Sequence, residues 1–239
     1  MNFFAEDTNV VLVISNFLAW VIITAIILIY YKKLEDKPRL WKALLIAFIG
    51  MFTFNFDLNI LQTLISIPIL PLGVWLLMII FRNKEDRWNV YRPFAWLGFF
   101  SQFIFILTVL ISMPLNNLLY PQDQLSTYIS NAEDASLIST HSSGEETSLK
   151  TGSLNKVLEK MEQNPIYSHE WYHKMSGNFD NMKVDEKFPY VLIGTDPKWG
   201  SGIESVIYLE RDGRGLLVTS QKGQHYFRSE ESLLEEGSQ

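Results

Sequence analysis

The pattern of apolar positions divides the chain near residue 120. Upstream lie long apolar stretches at 10–30, 43–81 and 93–113, whereas downstream the apolar residues come in short, spaced groups. The 21 residues of 10–30 suffice to cross a hydrocarbon core of about 30 Å as one helix. Glu6 and Asp7 precede this stretch without a Lys or Arg, which fits a signal anchor better than a cleaved leader. The 39 residues of 43–81 exceed one ordinary span, and the polar run Asn55-Phe56-Asp57-Leu58-Asn59 divides them. A hairpin of two spans at 43–56 and 60–81 is therefore expected, its first arm short and its turn at Asp57. Pro68 and Pro71 predict a kinked or broken third span. Pro93, read as first-turn proline, costs no internal hydrogen bond. The stretch 93–113 then crosses back, which makes four spans.

Charge orients them. Nine basic and seven acidic residues fall in 1–92, against eleven and nineteen in 93–239, and these give the net charge of −6. The basic residues of the first part cluster at 32–42 and 82–92, and short basic loops favour the cytoplasmic side. No Lys or Arg occurs from 93 to 149. Both termini are thus expected outside, in the cell membrane of a bacterial cell. The acidic tail disfavours nucleic acid. With no cysteine, disulfides, thiolate metal sites and cysteine nucleophiles are excluded.

An offset of fifty residues aligns the membrane half with itself. Asp7 meets Asp57, Asn9 meets Asn59, Glu35-Asp36 meets Glu85-Asp86, and Trp41-Lys42 meets Tyr91-Arg92. This register predicts a tandem repeat of a two-helix unit with parallel orientation. Asp57 is the one carboxylate within the three apolar stretches. At an external turn it serves as a turn or cap residue and not as an ion site.

Residues 121–152 are rich in Ser, Thr, Gln, Asp and Glu and read as a flexible acidic linker. Residues 153–239 read as a small domain. Leu154, Val157, Leu158 and Met161 predict an amphipathic helix at 154–163, capped by Ser153. Strands are expected at 188–194, 204–210, 216–220 and 225–227, with a turn at Arg211-Asp212-Gly213-Arg214-Gly215 and a short helix or frayed tail at the end. The predicted fold class is a membrane all-α four-helix bundle (1–120) with a C-terminal extracytoplasmic α+β domain containing a small antiparallel sheet.

His169-Glu170-Trp171-Tyr172-His173 has the form H-E-x-x-H. It resembles the short signature of zinc metallopeptidases. On a helix, that resemblance implies His169 and His173 as zinc ligands on one face and Glu170 as the base that activates a metal-bound water. The five residues lack the third histidine of the longer signature, and bulky aromatics surround them. The expectation is therefore a surface cluster with no cofactor, zinc being the alternative. Tyr167, Trp171, Tyr172 and Trp199 are the aromatics expected to bind a partner, since amphipathic rings contribute much interface area.

Three functional classes follow. The leading one is a noncatalytic envelope protein, accessory or sensory, whose external domain binds another membrane or cell-envelope protein while the helices sit in the lipid bilayer. The second is a membrane-anchored metallopeptidase. The third is a small transporter or channel subunit, which would require association with further copies of the chain.

Overall fold

The structure, a computed structural model, describes residues 8–35, 37–60, 63–145, 147–150, 152, 154–168, 171 and 186–235. Two compact units divide it: one is Val11–Leu115, the other combines Met1–Val10 with Asn116–Gln239.

In the first unit, α1 (Val10–Lys33) and α4 (Glu85–Leu119) are long and apolar enough to cross a membrane by length and composition. The four-span all-α bundle is not what forms between them. Residues 43–81 hold α2 (Leu40–Gly50), an antiparallel hairpin of β1 (Phe54–Ile60) and β2 (Thr63–Leu70), and α3 (Leu72–Ile80). The 11 residues of α2 and 9 of α3 rise only about 16 and 14 Å, well short of about 30 Å. The reason lies in the period. Phe54-Asn55-Phe56-Asp57-Leu58-Asn59 alternates apolar and polar strictly, which a pleated strand satisfies and a helix does not. Pro68 and Pro71 forbid a helix through the return arm until Leu72. Asp57 is consequently not a turn residue: it sits within β1 opposite Ser66, whose hydroxyl donates to its carboxylate at 2.5 Å.

The same hairpin limits the repeat. The offset of fifty sets helical residues 13–20 of α1 against 63–70 of β2, so superposition of two equivalent helix pairs fails there. Farther along the register, 22–30 and 72–80 are both helical, as are 40–48 and 90–98. Pro93 is also displaced from its expected role. Because α4 begins at Glu85, the proline lies inside the helix and removes the donor that would reach the Asn89 carbonyl.

Glycines bring three of these helices together. A Cβ at Gly50 would stand 2.1 Å from the Ala95 carbonyl oxygen, one at Gly98 1.9 Å from that of Ala47, and one at Gly73 1.8 Å from that of Ile49. The backbones of α2, α3 and α4 therefore meet directly, as small residues allow in apolar surroundings. Gln102 on α4 satisfies the Met51 carbonyl at 2.8 Å just past the end of α2. The helix α1 meets α4 through rings instead: Trp20 stands edge-on to Phe105 and Tyr30 to Phe94.

The second unit is built on a six-stranded antiparallel sheet. Its strands are β3 (Ser136–Ser139), β4 (Glu162–Asn164), β5 (Tyr190–Ile193), β6 (Ser205–Leu209), β7 (Gly215–Ser220) and β8 (Gly223–Arg228), in the order β3-β5-β6-β7-β8-β4. The helix α5 (Leu154–Glu159) is shorter than its apolar stripe suggests, yet Leu154, Val157, Leu158 and Met161 are all buried against the sheet's core. Glu162 to Asn164 pair with β8 rather than extending that helix. Much of 121–150, read above as a connector, is drawn into the fold. Leu125, Tyr128, Ile129, Ala132 and Leu149 enter the core and β3 forms an edge of the sheet. These apolar residues are sparse in a polar segment, and each still finds a buried place. Near the end, Leu233 is fully buried and Leu234 bridges to Leu149 in extended form, in place of a short helix or frayed tail.

Candidate functional site

Two constructions in the second unit carry polar chemistry. The first is the loop 196–202. Its backbone is fixed by Lys198 N–H donating to the Thr127 carbonyl at 3.1 Å and by Ser201 N–H donating to the Lys198 carbonyl at 3.1 Å. Residues that lead into α1 and out of α4 hold it further. Val10 N–H donates to the Gly200 carbonyl at 2.9 Å, and the Tyr120 hydroxyl donates to the Trp199 carbonyl at 3.1 Å. Lys198 Nζ donates to the Leu119 carbonyl at 3.0 Å, satisfying an end of α4 with a cation where one is favoured. Gly200 has φ +74°, and a Cβ there would meet Val10 Cγ2 at 2.6 Å, so glycine is required twice over. Trp199 itself is 74% exposed at the tip of this fixed loop.

The second construction surrounds Glu210, a buried carboxylate. Lys187 Nζ lies 2.9 Å from Oε1, and Tyr226 donates its hydroxyl to Oε2 at 2.5 Å. Arg228 adds Nη1 to Oε2 and reaches Asp212 with Nη2 at 2.5 Å. Space for this carboxylate comes from Gly215 at the start of β7, where a Cβ would lie 2.1 Å from Oε2. Burial, then the hydrogen bond with Glu210, pushes the Tyr226 phenol well above its ordinary range. For Arg228, burial opposes the charge, but its bonds with Tyr226 and Asp212 and the Glu210 charge outweigh it and raise the guanidinium further. Both oxygens of Glu210 are occupied by donors of the same chain, so the group acts as a clamp on β6, β7 and β8 and not as a free base. An open groove of about 880 Å³ runs beside it, lined among others by Lys160, Glu162, Arg214, Arg228, Glu230 and Glu231. Three of these six are basic and three acidic, so the lining has no dominant sign of charge.

The sequence-predicted residues are distributed as follows. His169, Glu170, Tyr172 and His173 lie outside the described residues. Trp171 is partly buried, edge-on to Tyr226 and Phe188, with Lys187 Nζ 4.4 Å from its ring centroid. It thus packs on the Glu210 clamp. Tyr167 is exposed, and among the described residues no ring contact joins it or Trp171 to Trp199. Among the described residues no group of three His, Cys, Asp or Glu side chains could hold a metal ion. Sequence reasoning missed the clamp. Its only trace is the carboxylate that closes the strand Glu204-Ser-Val-Ile-Tyr-Leu-Glu210 just before a Gly-rich turn, and the pairing of Gly215 with Arg228 that completes it is visible only in the register.

Comparison of the chain with protein-family models, characterised proteins and solved structures gives no match. The geometry above stands alone as the basis for function.

Proposed function

We propose that the chain is a noncatalytic membrane protein, anchored by α1 and α4, whose C-terminal domain lies outside the cytoplasm and binds a protein of the membrane or cell envelope through a surface centred on Trp199. One observation carries this reading: Asn9 and Val10, at the start of α1, and Asn116 to Tyr120, at the end of α4, belong to the same compact unit as the sheet. This supports both ends of the membrane segment emerging on one side, with an even number of crossings. Crossing by α1 and α4 gives such a number, with α2, the β-hairpin and α3 as a re-entrant insertion from the side of the basic loops. The exposed Trp199 on a loop already immobilised by hydrogen bonds to backbone carbonyls loses little entropy on binding, as a preorganised anchor should.

A second reading of Trp199 has its own support. Its neighbours Leu119 and Tyr120 end a membrane helix, the level at which tryptophan favours the lipid interface. Two measurements decide. Because the chain has no native cysteine, a single one at Ser142 should react with an impermeant thiol reagent in intact spheroplasts, and one at Asn83 only after lysis. The reverse pattern sinks the orientation. Trp199→Ala should abolish cross-linking of the full chain to its envelope neighbour while leaving membrane retention unchanged. Weakened anchoring with cross-linking intact would make Trp199 an interfacial residue instead.

A further inference from the structure

The membrane unit contains an apolar cleft of about 350 Å³ between α1 and α2, with Ala47 and Gly98 at its floor. Facing walls come from Ile23 and Ile27 on one side and Leu44 and Phe48 on the other, with Trp20 and Trp41 also lining it. The cleft stays open because its two walls stand at different heights on α4. Glycine contact draws the α2 backbone directly onto α4, whereas the Trp20–Phe105 and Tyr30–Phe94 ring pairs prop α1 one aromatic layer away. Besides the two tryptophans, Thr24 supplies the one polar side chain among the described lining residues. Its size falls within the range of about 300–1,000 Å³ seen for small-molecule sites.

The end of the cleft at Trp41 is positively charged. Lys42 Nζ lies 5.5 Å from the centroid of the Trp41 ring, and Lys37 and Arg39 immediately precede α2. Among the described residues, none of these three cations forms an ion pair. Arg39 stands at the N-cap of α2, where the helix dipole adds positive potential. An apolar trough with cations at one end matches a lipid with a negative headgroup, because basic sites between membrane helices on the cytoplasmic side favour such headgroups. We propose that this cleft holds an acyl chain of an anionic phospholipid from the surrounding bilayer, with the phosphate at Arg39 and Lys42. The proposal rests on the membrane reading given above.

The test uses the full chain purified in a neutral maltoside detergent. Dioleoyl phosphatidylglycerol and dioleoyl phosphatidylcholine, equal in chains and different in charge, are added separately and retained lipid is counted by native mass spectrometry. The expected result is one phosphatidylglycerol per chain, retained about tenfold more than phosphatidylcholine, for a difference of about 1.4 kcal/mol. Arg39→Gln with Lys42→Gln should erase the preference, and Lys42→Arg should keep it. Thr24→Phe, which fills the cleft, should lower retention of both lipids. Equal retention of the two lipids by the unmodified chain, or retention unchanged by Thr24→Phe in a chain that elutes as a single species, overturns the proposal. If Thr24→Phe aggregates, the soluble charge variants decide. Alkaline carbonate washing of membranes separates the two levels of failure. Release of the chain would sink the membrane reading itself, whereas retention without lipid preference would sink only the lipid site.

Discussion

Asn9 donates its side-chain amide to Asn116 Oδ1 at 2.7 Å and to the Ser201 carbonyl at 3.2 Å, joining positions 107 residues apart with a loop of the sheet domain. Asn116 is buried, so loss of this donor leaves an amide oxygen without its partner in a place water does not readily reach. Asn9→Ala should therefore destabilise the domain by about 1–3 kcal/mol. Urea unfolding of the full chain in detergent, followed by protease resistance of the C-terminal domain, measures it. A double-mutant cycle with Asn116→Ala should return a coupling of at least about 0.5 kcal/mol; strict additivity would show that the pair does not join the segments.

The Glu210 clamp predicts two coupled losses. Glu210→Gln leaves Lys187 and Arg228 facing a neutral amide. Breaking a fully buried pair costs about 3–5 kcal/mol, and the partial exposure of Arg228 scales this to roughly 2–3 kcal/mol. Gly215→Ala should cost at least as much, because its methyl would occupy the carboxylate's position. Combining the changes should cost less than their sum, since each breaks the same contact. Full additivity in chemical denaturation would refute the shared cause.

Legibility in the sequence followed the range of the interaction. The two long helices and the strands from Tyr190 onward were readable, because apolar run length and period-two alternation are local properties. The β1–β2 hairpin carried the same local alternation, but its setting inside a 39-residue apolar stretch made span length outweigh period. The site was less legible. Glu210, Lys187 and the β8 pair Tyr226 and Arg228 come from three separate segments, and only strand register sets them around one carboxylate. Trp199 was recognisable as a candidate binding aromatic, whereas the attachment of its loop to Val10 and Tyr120 is a contact between distant parts of the chain.

Tyr128 supplies a test of opposite sign. Its hydroxyl is buried and has no hydrogen-bond partner among the described residues, while its ring packs on Phe227 and His225. Burial, with a smaller contribution from the Asp123 charge, pushes the phenol up to about 12. Removal of an unsatisfied polar group from an otherwise apolar contact should be neutral or favourable. Tyr128→Phe is expected to change stability by between zero and about +1 kcal/mol. A loss above 1 kcal/mol in the same unfolding assay would mean that the hydroxyl has a partner, such as a buried water.

His225 sets the direction of a pH response. Burial lowers its pKa, opposed by the Asp123 charge, and Nδ1 lies 3.1 Å from Gln163 Nε2, a donor that requires the ring nitrogen to be unprotonated. The unfolded chain takes up a proton at about 6.5, while the folded chain does so only at lower pH. Between those values the unfolded state holds more protons, so this residue's contribution is fully present above about 6.5 and is lost as pH falls toward the folded pKa. Stability of the intact chain should thus decline from pH 7 to pH 5 by no more than about 1.4 kcal/mol per pH unit from this one group. His225→Gln keeps a hydrogen-bonding side chain facing Gln163 but cannot titrate, and the difference between its unfolding curves and those of the unmodified chain should narrow as pH falls. A difference that stays constant from pH 7 to pH 5 would remove His225 from the response and leave the carboxylates as its source.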